Sequence, residues 1–565
     1  MAHPSRQLKG PATSVTQHPD TIFLNADILT MDPVRPHAQA LAVRGRRIQH
    51  LGDRQEVLAL RGATTEVVDL GGQTLLPGFV EAHGHPTIMA LALAPPALDV
   101  RPFTEPTGDG VLRRIRRAVR VAPHEPVAAY GIDLLLQRDL PLLDRVLLDE
   151  LAPHAPLVVF SNSGHAAYAN TAALRTAGIT RHTPDPAGSR FIRDQHGEPT
   201  GEAHEAGAVE ALMWTVAGDK LEPHTLRSSL EWAYAQHASA GITTATDMAT
   251  PPHLLAALTA AAERPHVPLR VRSYLIGTPE LAADPGSLFG ADPGAERLFA
   301  VSGVKLWADG TPWQGSIATS FPFQDNEATL RIGMNHCTHG PMNYTPDQLA
   351  DLAAAFLSRG ISVACHVHGD VTFDAVLEAY TRVARTDPDL LRRLRPRMEH
   401  CGAVTPPQFR RAAELGATVS LFMDHVRWWG DVLADDLFGP RTAETWMAAR
   451  SAWDAGHRLS LHNDGACSPT DPLSSIATAL TRRAHPSGRV HGTDERLTID
   501  QALRTVTANP AWQLSLENDI GSLRPGMQAD LTLLDRDPRT ADPDRFLDQV
   551  SVTGTWLGGR PTWTA

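Results

Sequence analysis

The stretch PGFVEAHGHP, residues 77–86, ends an apolar run that includes Leu75, Leu76, Phe79 and Val80 with two histidines, His83 and His85, one residue apart. A short apolar run bounded by turn-forming residues reads as a buried strand, which places the pair at its C-terminal end. Side chains at i and i+2 of a strand share a face, so both imidazoles are expected to aim at one point, with Gly84 adding no bulk between them. Seven further β-rich runs follow from residue 241: GITTATDM (241–248), LRVRSYLI (269–276), SGVKLWADG (302–310), ISVACHVHG (361–369), PRMEHCG (396–402), ATVSLFM (417–423) and RLSLHND (458–464). Helical patterns separate them. Eight strands alternating with helices predict an α/β fold, a parallel (β/α)8 TIM-like barrel.

The intervening helices carry their own start and stop signals. TPDQLADLAAAFLSRG opens with Thr345 and Gln348 at capping-box spacing and Pro346 in the first turn, and closes at Gly360. TPPQFRRAAELG repeats the device with Thr405, Pro406, Gln408 and Gly416, and TIDQAL with Thr498 and Gln501. Leu349, Leu352, Phe356 and Leu357 make one helical face, and Phe373, Val376, Leu377, Tyr380 and Val383 another, as helices packed on a barrel wall require.

About 150 residues separate the first strand from the second, far more than one barrel helix needs. An inserted lobe is expected there, over about residues 95–235. Segments 20–76 and 518–565 read as short β-runs with turns, such as LAVRGRRIQHLG and GSLRPGMQADLTLLD, and predict a small β-sandwich domain built from both chain ends. The barrel then takes residues 77–517, and residues 1–19 are expected to form a flexible tail.

Composition narrows the function. Hydrophobic residues make up 42% and charged residues 20% of the 565 residues, as in an ordinary soluble globular protein, with no apolar run long enough to cross a bilayer. A net charge of −12 argues against a nucleic-acid surface, which depends on clustered Lys and Arg releasing counterions. MAHPSRQLKGPATSVTQHPD carries no apolar core of a secretion signal. The four cysteines (Cys337, Cys365, Cys401, Cys467) form no CxxC pair. The expectation is a cytoplasmic protein with reduced thiols, acting on a small molecule, with neither nucleic acid nor membrane as partner.

Residues able to bind metal recur at the ends of later predicted strands: Lys305 in the fourth, His366 or His368 in the fifth, His400 in the sixth and Asp464 in the eighth. Barrels of this kind place their catalytic groups there. Neutral imidazoles aimed at one point suit Zn²⁺ or another divalent ion. Taken singly, His400 also fits a core histidine bonded to a carbonyl, and Asp464 a turn residue. Lys305 stands out because the 51 basic residues include only three lysines, the others being Lys9 and Lys220. An interior lysine is costly unless used. As a neutral amine it can react with CO₂ to give a carbamate that bridges two metals; as an ammonium it can reach a substrate carboxylate. Cys365 and Cys401 adjoin ligand candidates, yet strand neighbours face opposite ways, so both thiols are expected in the barrel wall. FMDHVRWWGD (422–431) follows the seventh strand; Phe422, Trp428 and Trp429 are expected either to line an apolar or aromatic pocket or to pack that loop onto the barrel.

In combination, LLPGFVEAHGHP, HAAYANTAALRTAGI, GEPTGEAHEA, GITTATDM, GVKLWADG, HVHGD, RMEHCG, LHNDG and the run LTIDQALRTVTANPAWQLSLENDIGSLRPGMQADLTLLDRDP resemble the amidohydrolase superfamily. The branch they resemble is amidohydrolase family 3, that of N-substituted formamide deformylase-like metal-dependent hydrolases. The likeness covers about residues 20–563. It implies His83, His85, His366 and His400 as ligands of one or two divalent ions, with Lys305 as the family's strand-four lysine, which can be carboxylated, and Asp464 as its strand-eight aspartate. Asp464 would serve as general base and then acid, and His165 or His368 would steady an oxyanion. His165 and Glu205, in the insertion, are implied substrate contacts. The stretch often read as His-Ala-Ile-Gly-Asp is here His-Val-His-Gly-Asp, which adds His368. The implied reaction is hydrolysis of a C–N bond in a small amide, N-substituted formamide or imide. Two alternatives remain open: a catalytically silent binding or regulatory scaffold, and the same metal site used for ester, lactone or deamination chemistry. A homodimer is compatible with the resemblance.

Overall fold

The computed structural model describes residues 18–186, 188–286, 288–290, 294–334 and 338–565. Residues 1–17 of the expected tail, and Cys337, lie outside the described residues.

Eight strands form one parallel sheet: β1 (Phe79–Glu81), β2 (Ile242–Thr250), β3 (Arg270–Ile276), β4 (Phe299–Trp307), β5 (Ser362–Val367), β6 (Arg397–His400), β7 (Thr418–Phe422) and β8 (Ser460–His462). They are hydrogen-bonded in chain order, each parallel to the next. Among the described residues β8 and β1 share no ladder. The Glu81 carboxylate bridges that seam by accepting from the Asn463 amide (3.3 Å), and the His85 amide donates to the Gly465 carbonyl (2.6 Å). The sheet is therefore a nearly closed barrel. Its register levels the strand ends, with Trp307 paired to His366, Val367 to His400 and Phe422 to His462, so residues far apart in sequence meet at one rim.

Inside, Val80, Met248, Tyr274 and Ala364 from four strands pack with Ala511, Leu514, Leu516 and Ile520. Outside, the helices start where their caps place them. Thr345 Oγ1 accepts from the Gln348 amide (3.3 Å) while Gln348 Oε1 accepts from the Thr345 amide (3.0 Å). Thr498 and Gln501 exchange the same pair, and Gln408 Oε1 accepts from the Thr405 amide (3.0 Å). Each such cap is worth about 1 kcal/mol. Helix Pro406–Leu415 ends on Gly416 at φ 83°, a left-handed turn open to glycine. Leu349, Leu352, Phe356 and Leu357 of helix Pro346–Leu357, and Phe373, Val376, Leu377, Tyr380 and Val383 of helix Asp370–Thr386, are all buried. Each large apolar side chain buried in this way contributes about 1.5–3 kcal/mol.

Two more sheets flank the barrel in sequence. A six-stranded sheet runs from Leu98–Asp99 to Pro199–His204 and has its own apolar cluster, with Val100, Ile115, Leu148 and Val159. Helices Ala206–Val216 and Pro223–Ser239 lead from it to β2. The third sheet joins both chain ends, with Thr74–Pro77 antiparallel to Leu531–Leu534. Buried Arg270 of β3 reaches toward it to pair with Asp530 at 2.5 Å. Among the described residues no helix is long and apolar enough to cross a membrane.

Candidate metal centre

β1 ends at Glu81, so the two histidines stand past the strand: His83 in the bend after it, and His85 as the residue before helix Pro86–Ala92. Their convergence comes from the partner each ring holds on its far side, not from strand alternation. His83 Nδ1 donates to Glu399 Oε2 (2.7 Å) and His85 Nδ1 to the Met248 carbonyl (2.8 Å). This fixes both tautomers and turns both Nε2 atoms to Asp464 Oδ1, at 3.7 Å and 3.1 Å. His85 Nε2 is then a bare lone pair facing a carboxylate oxygen. Two acceptors at that distance call for a cation or a proton between them.

The rest of the rim extends the same donor set. His366 donates Nε2–H to the Gly310 carbonyl (2.7 Å), which leaves its Nδ1 as the free donor atom. His400 Nδ1 lies 3.2 Å from His462 Nε2. His400 Nε2, His368 Nδ1 and Asp464 Oδ1 are buried with no hydrogen-bond partner. Each unsatisfied buried group costs about 1–3 kcal/mol, so three at one spot need a shared explanation. Burial holds His83, His366, His368 and His400 well below the ordinary imidazole range, hence neutral and fit to ligate. Burial would raise the Asp464 carboxyl, but a proton on the facing His85 nitrogen outweighs that and lowers it, so with a proton or a cation between the two, Asp464 is ionised. Neutral imidazoles with one carboxylate are the donors a divalent ion such as zinc takes, and the site fits one.

Four triads bring their donor atoms within 4.8 Å of one another: His83, His85 and Asp464; His366, His368 and His400; His400, His462 and Asp464; and His83, Glu399 and His462. Both His366 and His368 thus join His400. Lys305, 1% exposed, places Nζ 3.3 Å from His83 Nε2. Burial pushes its ammonium down to about 8, against the pull of Glu399 and Asp464.

His462 and Glu399 belong to this cluster and sequence reasoning missed both. His462 sits two residues before Asp464, a spacing that could have revealed it. Glu399 was masked by its neighbour, because on a regular strand Glu399 and His400 cannot face the same region. They do so here because His400 (φ 72°) and Cys401 (φ 55°) enter the left-handed region as β6 ends. Asp464 is likewise left-handed (φ 52°). Each such residue costs about 1–2 kcal/mol, repaid by surrounding contacts. For Asp464 these include Asn463, whose Nδ2 donates to Asp424 Oδ2 (2.8 Å) and Ser475 Oγ (3.1 Å), and Ser468, whose Oγ donates to Asp424 Oδ2 (2.7 Å).

The insertion brings His165 and Glu205 to the rim. His165 Nδ1 bonds Glu205 Oε2 (2.7 Å), and the His165 ring lies 5.0 Å from that of His366. Burial disfavours the imidazolium, yet Glu205 prevails and raises the His165 pKa. A cavity of about 150 Å³ opens over His83, His85, Lys305, His366, His400 and Asp464. Its apolar wall comes from the first connection, including Leu91, Phe160, Val209, Met213 and Trp214. Phe422 and Trp429 line instead a smaller neighbouring chamber of about 20 Å³. Trp429 stacks on Trp313 (4.9 Å) and donates to Asp133 Oδ2 (2.8 Å). Trp428 lines neither of these two spaces and takes the packing alternative instead of the pocket one, against Phe103 (4.5 Å) and His485 (5.1 Å). Cys365 and Cys401 are buried and free, with burial pushing the Cys365 thiol up to about 12, which keeps it protonated.

Residues 66–563 match the profile of a family described as the amidohydrolase family. N-substituted formamide deformylase of Arthrobacter pascens is 30% identical over 557 residues, covering 96% of this chain and 98% of that protein. Protein LONG AFTER FAR-RED 3 of Arabidopsis thaliana is 27% identical over 563 residues, covering 96% of this chain and 91% of that protein. Among solved structures, an uncharacterized metal-dependent hydrolase from Pyrococcus horikoshii OT3 superposes with a TM-score of 0.70 at 21% identity, over 93% of this chain and 99% of that one, and shares its fold.

Proposed function

The chain belongs to the amidohydrolase family, and from that premise we propose that it hydrolyses a C–N bond of a small amide, N-substituted formamide or imide. His83, His85, His366, His400 and Asp464 would hold one or two divalent ions, zinc first among them, with Lys305 beside them. The observation that carries this reading is the buried, partnerless set of His400 Nε2 and Asp464 Oδ1, with the bare His85 Nε2 facing that same oxygen. When bound, the ion would supply Lewis acidity, lowering the pKa of water and polarising the scissile carbonyl.

The side chains divide the remaining work. Asp464, ionised, takes a proton from the attacking water as its oxygen bonds to the acyl carbon. It returns that proton to nitrogen as the C–N bond breaks, releasing a carboxylic acid and an amine, and the second water proton then passes from acid to amine to give a carboxylate and an ammonium. Glu399 and the Met248 carbonyl keep the His83 and His85 rings turned inward. His165, held by Glu205 and lining both chambers, offers its other ring nitrogen to the developing oxyanion, with His368 close by. Lys305, with a pKa near 8, has a ready neutral fraction that can add to CO₂, forming an N–C bond and losing a proton to give a carbamate. The domain division expected from the sequence is part of the same proposal. It is supported by the six-stranded sheet of the first connection and the sheet shared by both chain ends.

Elemental analysis and turnover test this together. The purified protein is expected to carry zinc or another divalent ion, to lose activity on chelation and to regain it with Zn²⁺. Asp464→Asn should lower kcat by about 10²–10⁴-fold with the fold retained. Full turnover in that variant would remove Asp464 from its role.

A further inference from the structure

We propose that a buried column of hydrogen bonds through the barrel, running Gln513–Ser460–Ser420–His462, sets the tautomer of His400, placing its ring proton on Nδ1 and leaving Nε2 bare as a metal donor. The use made of that bare nitrogen rests on the metal-dependent reading above; the direction of the column does not.

β7 and β8 build the column. Their register pairs Ser420 with Ser460, and Ser460 and His462 share a face because strand side chains alternate. Near the N-terminal ends of these strands, helix Ala508–Gln513 packs Ala511 among the side chains inside the barrel and ends on Gln513. From there the contacts run unbroken to the rim. Gln513 Oε1 lies 2.7 Å from Ser460 Oγ, Ser460 Oγ 2.9 Å from Ser420 Oγ, Ser420 Oγ 2.8 Å from His462 Nδ1, and His462 Nε2 3.2 Å from His400 Nδ1. All five side chains are buried. Filling the barrel needs no polar group, as Val80, Met248 and Ala364 show in the same interior. A connected column adds what packing does not, because each member fixes the proton of the next.

The column can run in either of two directions. Ser460 has one proton, and both Gln513 Oε1 and Ser420 Oγ lie within its reach. If Ser420 receives it, Ser420 donates to His462 Nδ1, His462 donates from Nε2 to His400 Nδ1, and the His400 proton is left on Nε2, where it blocks a metal. If Gln513 receives it, every bond reverses. Ser420 then donates to Ser460, His462 Nδ1 donates to Ser420, and His462 Nε2 accepts from His400 Nδ1.

Gln513 decides between them. Its Nε2 donates both protons, to the Val419 and Arg458 carbonyls at 2.9 Å each, so its Oε1 can only accept. Among the described residues Ser460 is the donor it has. The first direction would leave that oxygen buried and unsatisfied, and would point a His400 Nε2 proton at no acceptor. The second leaves only a lone pair at His400 Nε2. Burial keeps both rings neutral, with His462 pushed down to about 3, so each has one donor and one acceptor nitrogen. Asp464 Oδ2, at 3.9 Å, is too far from His400 Nδ1 to compete with His462. His462 is therefore a positioning residue for His400, its own Nε2 committed to that bond.

Nitrogen NMR of the full chain with ¹⁵N-labelled histidine, as purified and after chelation, reads the tautomers directly, since protonated and bare ring nitrogens resonate far apart. Signals are assigned by their loss in His400→Gln and His462→Gln. Both rings are expected to carry the proton on Nδ1, with and without metal. Ser420→Ala cuts the column, so both tautomers of His462 and His400 should appear in the chelated protein, and zinc affinity should fall about tenfold in competition with a chromophoric chelator. Ser420→Thr, which keeps the hydroxyl, should restore the wild-type pattern. A His400 proton on Nε2 in the chelated wild-type protein, or tautomers unchanged in Ser420→Ala, would overturn the proposal. The expected tautomers in a protein that takes up no divalent ion would leave the column standing and remove the metal-dependent reading.

Discussion

Lys305→Met in the metal-free protein isolates the cost of placing an ammonium at the centre of the barrel mouth. Lys305 is 1% exposed, and its pKa falls from 10.5 to about 8, chiefly through burial. Each pKa unit is worth about 1.4 kcal/mol, so holding the charged form there costs roughly 3 kcal/mol at pH 7. The folded lysine titrates near 8 and the unfolded one near 10.5, so between these values the unfolded chain binds more protons. Stability therefore rises with pH across that window: the penalty is complete below pH 8 and gone above about 10.5. Methionine fills a similar volume with no charge. Urea denaturation in the presence of a chelator, at pH 7 and at stepwise higher pH, is expected to find the variant more stable at pH 7 by up to about 3 kcal/mol, with the difference shrinking as pH rises. Activity should be lost at every pH. A variant less stable than wild type at pH 7, or a difference that does not change with pH, would refute the assignment of Lys305 as a buried, functionally retained amine.

Two further substitutions probe the supports of the ligand set. Glu399→Gln removes the carboxylate that accepts from His83 Nδ1 at 2.7 Å and pairs with Arg397 at 2.9 Å. It should weaken zinc binding about 10–100-fold in competition with a chromophoric chelator, and unchanged affinity would show that His83 is oriented by other means. Asn463→Ala removes the donors to Asp424 Oδ2 and Ser475 Oγ that brace the left-handed Asp464. The expected result is a kcat lowered by about tenfold or more with zinc content preserved, whereas equal loss of zinc would place its role in metal retention.

Legibility followed the range of the interactions. Helix starts at Thr345, Thr405 and Thr498 could be read because a cap and its partner lie three residues apart and settle their geometry locally. The strands could be read from their apolar runs, and Lys305 from the scarcity of lysine. His462 and Glu399 escaped because the partners that reveal them, His400 and His83, lie 62 and 316 positions away, and the alternation rule fails where φ turns positive at the end of β6. The choice between a pocket and a packing role for Trp428 was not legible, because proximity in sequence to a strand end does not say which way a helix turns its face.

The sequence by itself determined an alternating eight-strand barrel and the residue types at its rim, since hydrophobic period and capping chemistry act over a few neighbours. Tertiary structure alone decided which lone pairs meet. The opposed His85 Nε2 and Asp464 Oδ1, the Glu399–His83 bond spanning the barrel and the apolar wall lent by the first connection all join residues hundreds of positions apart. Such meetings depend on strand register and on side chains packed at fixed density, and no local pattern in the chain encodes either.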